Sequence, residues 1–215
     1  MDNNLKLLID RLEAERCLEK NEYKMLIEGF SEEPAAYAAS KADRIRQSIY
    51  GKDVYIRGLI EVSNICANDC LYCGIRKSNA QCARYRLPLE TVLECCRKGY
   101  ELGFRTFVMQ GGEDGFFTAE HICRYVSSIK KIFPDCAVTL SLGEYSKEEY
   151  KAMYDAGADR YLLRHETADE AHYEKLHPAS MSFEKRMKCL ENIKETGFQT
   201  GCGFMVGSPY QTSDT

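Results

Sequence analysis

The sequence has no long apolar run, and none of its stretches approaches the ~20 residues that a membrane-spanning helix requires. Near the start, Asp2, Asp10, Glu13 and Glu15 are interspersed among the apolar residues, so Met1–Arg16 does not read as a secretory leader. An excess of positive charge is also missing. The formal net charge of −4 provides no basic field for nucleic acid and no polybasic patch for an anionic membrane. There is no G-x-G-x-x-G, so a dinucleotide fold has little support. No internal repeat and no low-complexity linker divides the chain. The 14 tyrosines are scattered and make no stacking platform for single-stranded nucleic acid. These absences leave small-molecule chemistry in a cytoplasmic protein of ordinary globular composition, 44% hydrophobic and 29% charged.

Cysteine is not scarce. Eleven in 215 residues is an odd count in a chain without a secretory leader, which points to reduced thiols in place of a disulfide scaffold. Cys95, Cys96, Cys123, Cys136, Cys189 and Cys202 fall in helix-like or strand-like runs and are expected as small core residues, and Cys17 has no evident chemistry. Cys66, Cys70 and Cys73 are different, being set at C-x3-C-x2-C spacing just after an apolar run. Three protein thiolates on a four-iron cluster leave one iron open to a reactant, whereas a structural zinc or iron-sulfur site closes with four ligands. A zinc knuckle would need Cys82 as the fourth. Its spacing is unusual for that, because Gly74–Gln81 carries charge and no ligand.

The first 50 residues have helical periodicity, with Leu5, Leu8, Ile9 and Leu12 on one face, a break near Asn21, then Tyr23, Leu26 and Ile27. Ser31-Glu32-Glu33-Pro34 opens a third helix toward Tyr50. From Val54 the pattern changes to short β-rich runs, expected as strands at Val54–Ser63, Thr106–Gln110, Ala137–Leu142, Arg160–Arg164 and Thr200–Val206. Amphipathic stripes lie between them, Leu89/Val92/Leu93/Cys96/Tyr100 and Ile122/Tyr125/Val126/Ile129/Ile132. Ser146 with Glu149, and Thr167 with Glu170, have capping-box spacing and start the helices after the third and fourth strands. The fold expected is α/β, with a helical extension over residues 1–50 and a partial (β/α)8 TIM-type barrel over 51–215. About five βα units fit, against the roughly 250 residues of a full barrel. An incomplete barrel would expose an edge and an apolar interior, so association is expected.

Barrels place ligands at the C-terminal strand ends, and polar residues cluster there. The cysteine loop follows the first strand, Gly111-Gly112-Glu113-Asp114 the second, and Arg164-His165-Glu166-Thr167 the fourth. Paired glycines let the backbone approach a ligand closely, and Glu113 adds an acceptor for an ammonium group. Arg164 and Glu166 share one parity, as do Thr139 and Ser141, so these side chains should converge. His165 has the opposite parity and is expected to pack. His121, His172 and His177 lack ligand spacing and are expected to be structural or exposed.

With these residues assembled, the chain resembles a subgroup of radical S-adenosylmethionine (SAM) enzymes that includes biotin synthase, methylornithine synthase and the [FeFe]-hydrogenase maturase. The carriers are Arg57–Glu61, Cys70-Leu71-Tyr72-Cys73-Gly74, Gln110 with Gly112–Asp114, Thr139–Glu144 and Ala156–Thr167, and the maturase is the strongest match. Gly111 departs from a serine, and Tyr210 from a glycine, common in that group. The resemblance implies a [4Fe-4S] cluster on Cys66, Cys70 and Cys73 and SAM at its open iron. Tyr72 would serve the adenine, Gly112 and Glu113 the amino group, Arg186 the carboxylate and Glu166 the ribose, with Ser141 and Arg164 beside them. It implies cleavage of SAM to a 5′-deoxyadenosyl radical, a small or organometallic substrate contacted by Thr139, and an electron donor such as ferredoxin or flavodoxin. Other hydrogenase maturation proteins would be partners. Two alternatives are an amino-acid mutase of the methylornithine synthase type and an inactive or zinc-stabilised binding module.

Overall fold

The computed structural model describes residues 2–215, which form two compact units, one running through Tyr55 and including Gln211–Thr215, the other Ile56–Tyr210. Among the described residues no helix is long and apolar enough to cross a membrane.

The first unit holds three helices, α1 (Asn3–Glu15), α2 (Lys20–Glu28) and α3 (Glu32–Tyr50). The break between α1 and α2 falls at residues 16–19, earlier than the expected Asn21. Arg16 turns left-handed at φ 64°, and Glu19 and Glu22 form a capping box that starts α2. Leu8 and Ile9 are buried on α1. Arg11 grips Glu22 of α2 with both terminal nitrogens at 2.5 and 3.0 Å, and Lys41 of α3 pairs with Asp10 and Glu13 of α1.

The second unit is a parallel sheet wound with helices. In chain order its elements are β1 (Gly58–Ser63), α4 (Leu89–Glu101), β2 (Thr106–Gly111), α5 (Ala119–Ile132), β3 (Ala137–Ser141) and α6 (Lys147–Asp155). They continue as β4 (Arg160–Leu162), α7 (Glu170–Leu176), α8 (Phe183–Thr196) and β5 (Gln199–Gly201). The sheet order is β1-β2-β3-β4-β5, and every pairing is parallel. Sequential parallel neighbours joined through helices are the arrangement of successive units of a (β/α)8 barrel.

Strand alternation separates two faces. Ile60, Val62, Phe107, Met109, Val138, Leu140 and Tyr161 are all at most 5% exposed and form the core with Val92, Cys96, Ile122, Val126, Ile129, Tyr150 and Met153 of the helices. Burying each large apolar side chain contributes about 1.5–3 kcal/mol. The opposite face, with Leu59, Glu61, Val108, Gln110, Ser141 and Leu162, stays partly open and is the concave side.

Several expected boundaries shift. The first strand starts at Gly58, since Val54, Tyr55 and Ile56 are 82%, 72% and 65% exposed and pairing with β2 begins at Gly58↔Phe107. Likewise β4 ends at Leu162 and β5 at Gly201, where their pairing ends. The Ser146/Glu149 capping box forms as expected. Thr167 does not cap α7. Its hydroxyl accepts from Asp169 N at 3.2 Å, and Asp169 caps the helix by accepting from His172 N at 2.8 Å, because a carboxylate one residue before the helix reaches the third amide directly. Cys96, Cys136 and Cys189 are buried as expected, but Cys95 and Cys202 are exposed. Cys95 is one residue from Cys96 on α4, a rotation of about 100° that turns it off the core face.

Candidate active site

From Asn64 to Pro88, between β1 and α4, the chain forms a long loop that packs against the C-terminal ends of the strands. Ala67 N donates to Glu113 O at 2.9 Å, Leu71 N to Leu176 O at 3.0 Å, and Cys73 N to Cys70 O at 3.0 Å. Gly112 makes this approach possible. A Cβ there would overlap the Ile65 carbonyl and stand 2.7 Å from Cys66 Cβ.

The loop walls a cavity of about 400 Å³ at the mouth of the concave face. Cys66, Cys70, Tyr72 and Cys73 line it from the loop, Gly112 and Glu113 from the end of β2, and Ser141 from β3. Arg164 and Glu166 follow β4, and Arg186 enters from α8. Thr139 is not among the lining residues. It shares a face with Ser141 one pleat deeper in β3, 7% exposed, and among the described residues its hydroxyl has no partner.

Arg186 is the best-held group in the cavity. Its Nε is 2.8 Å from Glu144 Oε1 and its Nη2 is 3.1 Å from Glu113 Oε1, while Lys185 meets the other oxygen of Glu144 at 3.0 Å. Gly143 makes room for this pairing, with φ at 99° and a missing Cβ that would stand 2.5 Å from Glu113 Cδ. Two buried phenols, Tyr150 and Tyr161, donate to the Gly143 carbonyl at 3.2 and 2.8 Å and fix the turn. Glu166 occupies the left-handed region at φ 64°, a conformation costing a non-glycine residue about 1–3 kcal/mol, which here aims its carboxylate back into the cavity beside Arg164.

Burial governs the titration of the site. It pushes the Cys70 thiol up to about 11, and the neighbouring Cys66 and Cys73 add to the rise while Arg186 opposes it. Burial also raises Glu166, against the pull of Arg164 and Arg186. His177 is held below the usual histidine range by burial, so it is neutral at pH 7. Its Nδ1–H donates to Tyr173 O at 2.9 Å, which leaves Nε2 to accept from the Tyr72 hydroxyl at 3.1 Å.

The donor set fits a four-iron cluster better than a single ion. Four thiolates on one zinc must share a centre about 2.3 Å from each sulfur. Among the described residues no three His, Cys, Asp or Glu side chains are arranged to hold one ion. Cys82 does not line the cavity, and its sulfur takes the Asn64 amide at 3.5 Å. Thiolates on separate irons of a cluster need no common centre.

Among the polar side chains that line the cavity, Glu61, Asn68, Gln110 and His177 were not expected from the sequence as site residues. His177, expected to be structural or exposed, lines the cavity and supports Tyr72. Glu61 and Gln110 stand on the rim of the sheet in register with each other and with Ser141. Glu144 was also missed as the support of Arg186. Glu61, Gln110 and Ser141 are on alternating positions of three strands, so correct strand register would have found them. No spacing signals His177 or Glu144.

A loop of three cysteines at the mouth of a partial TIM-type barrel defines a class of enzyme, and the family model of the radical SAM superfamily matches residues 60–215, so the chain belongs to that superfamily. It is 48% identical over 173 residues to the [FeFe] hydrogenase maturase subunit HydE of Thermotoga maritima, covering 80% of this chain and 49% of that one. The crystal structure of methylornithine synthase (PylB) superposes with a TM-score of 0.83 at 25% identity, over 93% of this chain and 59% of that one. That of HydG, a maturase of the [FeFe]-hydrogenase, superposes at 0.84 with 24% identity, over 96% and 48%, and speaks to the fold alone. The chain spans about half the length of the curated relatives it matches.

Proposed function

We propose that this chain carries the cluster and SAM-binding half of a radical SAM enzyme of [FeFe]-hydrogenase cofactor maturation. The observation behind this reading is that Cys66, Cys70 and Cys73 share one cavity with two carboxylates and two guanidinium groups, Glu113, Glu166, Arg164 and Arg186, a balanced set of charges suited to an amino acid. The 48% identity to HydE directs the substrate proposal toward a small organometallic species on the way to the di-iron cofactor.

A [4Fe-4S] cluster and SAM held here together would supply cleavage of the sulfonium by one electron from an external donor, to methionine and a 5′-deoxyadenosyl radical. Cys66, Cys70 and Cys73 would hold the cluster, and each must lose its proton to do so, which is why a raised Cys70 makes loading favour alkaline pH. Glu144 fixes Arg186 from behind at Nε and leaves the rest of the guanidinium toward the cavity. The Glu113–Arg186 pair satisfies itself while no ligand is present. A zwitterion can replace both halves of that pair, its carboxylate on Arg186 and its ammonium on Glu113, without leaving either charge orphaned. A ligand with only one of the two charges would strand the other partner. Glu166 is aimed to accept from the ribose, Ser141 and Arg164 flank it, and Tyr72, steadied by His177, offers its ring to the adenine. The orphan hydroxyl of Thr139, deeper in the barrel, is the proposed substrate contact. Proposed partners are a ferredoxin or flavodoxin as one-electron donor and other maturation proteins, in a reducing cytoplasm.

Anaerobic reconstitution with iron and sulfide, followed by reduction in the presence of SAM, tests this reading. The expected products are a brown protein with about four irons and the release of methionine and 5′-deoxyadenosine. A colourless protein holding one tightly bound zinc would remove it. The 27% identity to 3-methylornithine synthase of Methanosarcina acetivorans, over 96% of this chain, favours a second reading as an amino-acid mutase. Conversion of lysine to a rearranged product by a full-length homologue would select that reading.

A further inference from the structure

The cysteine loop has a clasp in Arg84, on the side away from the cavity. The loop contains no helix or strand, and ordering its residues costs backbone entropy, so something must define its shape before any cluster is bound. All four terminal N–H groups of Arg84 have backbone acceptors: Nη1 donates to Asn64 O at 2.5 Å and Ile75 O at 2.8 Å, and Nη2 to Arg76 O at 2.7 Å and Asn79 O at 3.2 Å. Asn64 stands two residues before Cys66 and Ile75 two after Cys73. One guanidinium nitrogen therefore joins the two ends of the segment that carries all three thiols.

The clasp is itself held. The Asn64 side chain donates to Ala83 O at 2.7 Å and accepts from Tyr85 N at 2.8 Å, gripping the residues on either side of Arg84. Among the described residues Arg84 makes no ion pair with a carboxylate, and its fork is committed to the loop carbonyls. It borders a second cleft, of about 480 Å³, that also reaches Cys66.

We propose that Arg84 is a positioning residue that presets the spacing of Cys66, Cys70 and Cys73 for cluster capture. Only a planar fork with divergent donors spans four carbonyls, so lysine, with the same charge on one nitrogen, cannot replace it. The inference rests on the radical SAM reading for its purpose, but the clasp can be measured without a cluster.

The test compares wild type with Arg84→Lys. In the ligand-free chain, amide hydrogen exchange read by mass spectrometry should be roughly tenfold faster across residues 64–79 in the variant, and unchanged in β2 and β3. After anaerobic reconstitution the variant should retain below about half the wild-type iron, and its remaining reduced cluster should give a broadened electron paramagnetic resonance signal. Wild-type protection across residues 64–79 in Arg84→Lys would overturn the proposal. So would a uniform rise in exchange that includes β2 and β3, which would mark Arg84 as a general stabiliser. If the wild-type chain takes up no cluster, the radical SAM reading fails while the exchange comparison still decides the clasp.

Discussion

Thr139 of β3 buries a hydroxyl that finds no partner among the described residues, an arrangement that costs free energy unless a ligand supplies the missing bond. Thr139→Val keeps the shape and removes that cost, so the ligand-free chain should gain about 1 kcal/mol in urea unfolding while turnover of the reconstituted enzyme falls. An unchanged or lowered midpoint would show that the hydroxyl is satisfied in solution. Asp114 is the opposite case. It is 4% exposed and accepts from Ser63 Oγ at 2.7 Å, from Phe116 N at 3.1 Å and from Arg86 at 2.7 and 2.9 Å. Burial acts to raise its pKa, yet these donors outweigh burial and hold it below the ordinary carboxylate value. A lowered folded pKa contributes stability above the unfolded value, and that contribution disappears as pH falls through the folded value. Asp114→Ala should therefore cost about 2 kcal/mol near neutral pH, for the Ser63 and Phe116 donors left unpaired. The gap from wild type should begin to narrow below about pH 4 in chemical denaturation, as the wild-type carboxylate takes up a proton, and a gap constant down to pH 2 would contradict it. Both residues are visible in the sequence, Thr139 as a polar strand position and Asp114 as part of a loop. The partners of Asp114 are not, because Ser63 and Arg86 are distant from it in sequence and adjacent only in space.

Among the elements, the turn after β3 governs the cavity. Gly143 sits at φ 99° with Glu113 pressed against the place a Cβ would fill, and its carbonyl anchors to Tyr150 and Tyr161. Gly143→Ala combines a disfavoured backbone with overlap. It should cost about 2–3 kcal/mol in urea unfolding and weaken SAM binding in calorimetry by pushing Glu113 away from Arg186. Wild-type stability and affinity in that variant would mean that the turn relaxes freely. At this scale periodicity reads the helices and the presence of the strands, because each buries one continuous stripe or face. Strand ends are less legible. Val54–Arg57 is as β-rich as β1 itself, but β1 begins where β2 is present to pair with it. The expected cap at Thr167 failed for a similar reason, since Asp169 offered a better-placed oxygen to the same turn.

At the scale of the whole molecule, the sheet buries its helix-covered face and leaves the concave face partly open, with Leu59 56% exposed and β1 and β5 at its edges. Open edges and exposed apolar side chains favour pairing with another chain. Sedimentation velocity on this 215-residue chain should show association that increases across the micromolar range, and a single monomeric boundary throughout would contradict it. By itself the sequence determined the βα alternation, the cysteine loop, and half of the residues that line the cavity, because helix and strand periods and a three-thiol spacing are local properties carried along the chain. Tertiary structure alone decided that Cys82 does not line the cavity that the other three thiols line, that Glu144 supports Arg186, that His177 meets Tyr72, and that Arg84 bonds across the cysteine loop. Those pairings join residues that no period relates, and they exist because parallel strands bring their C-terminal loops to one rim.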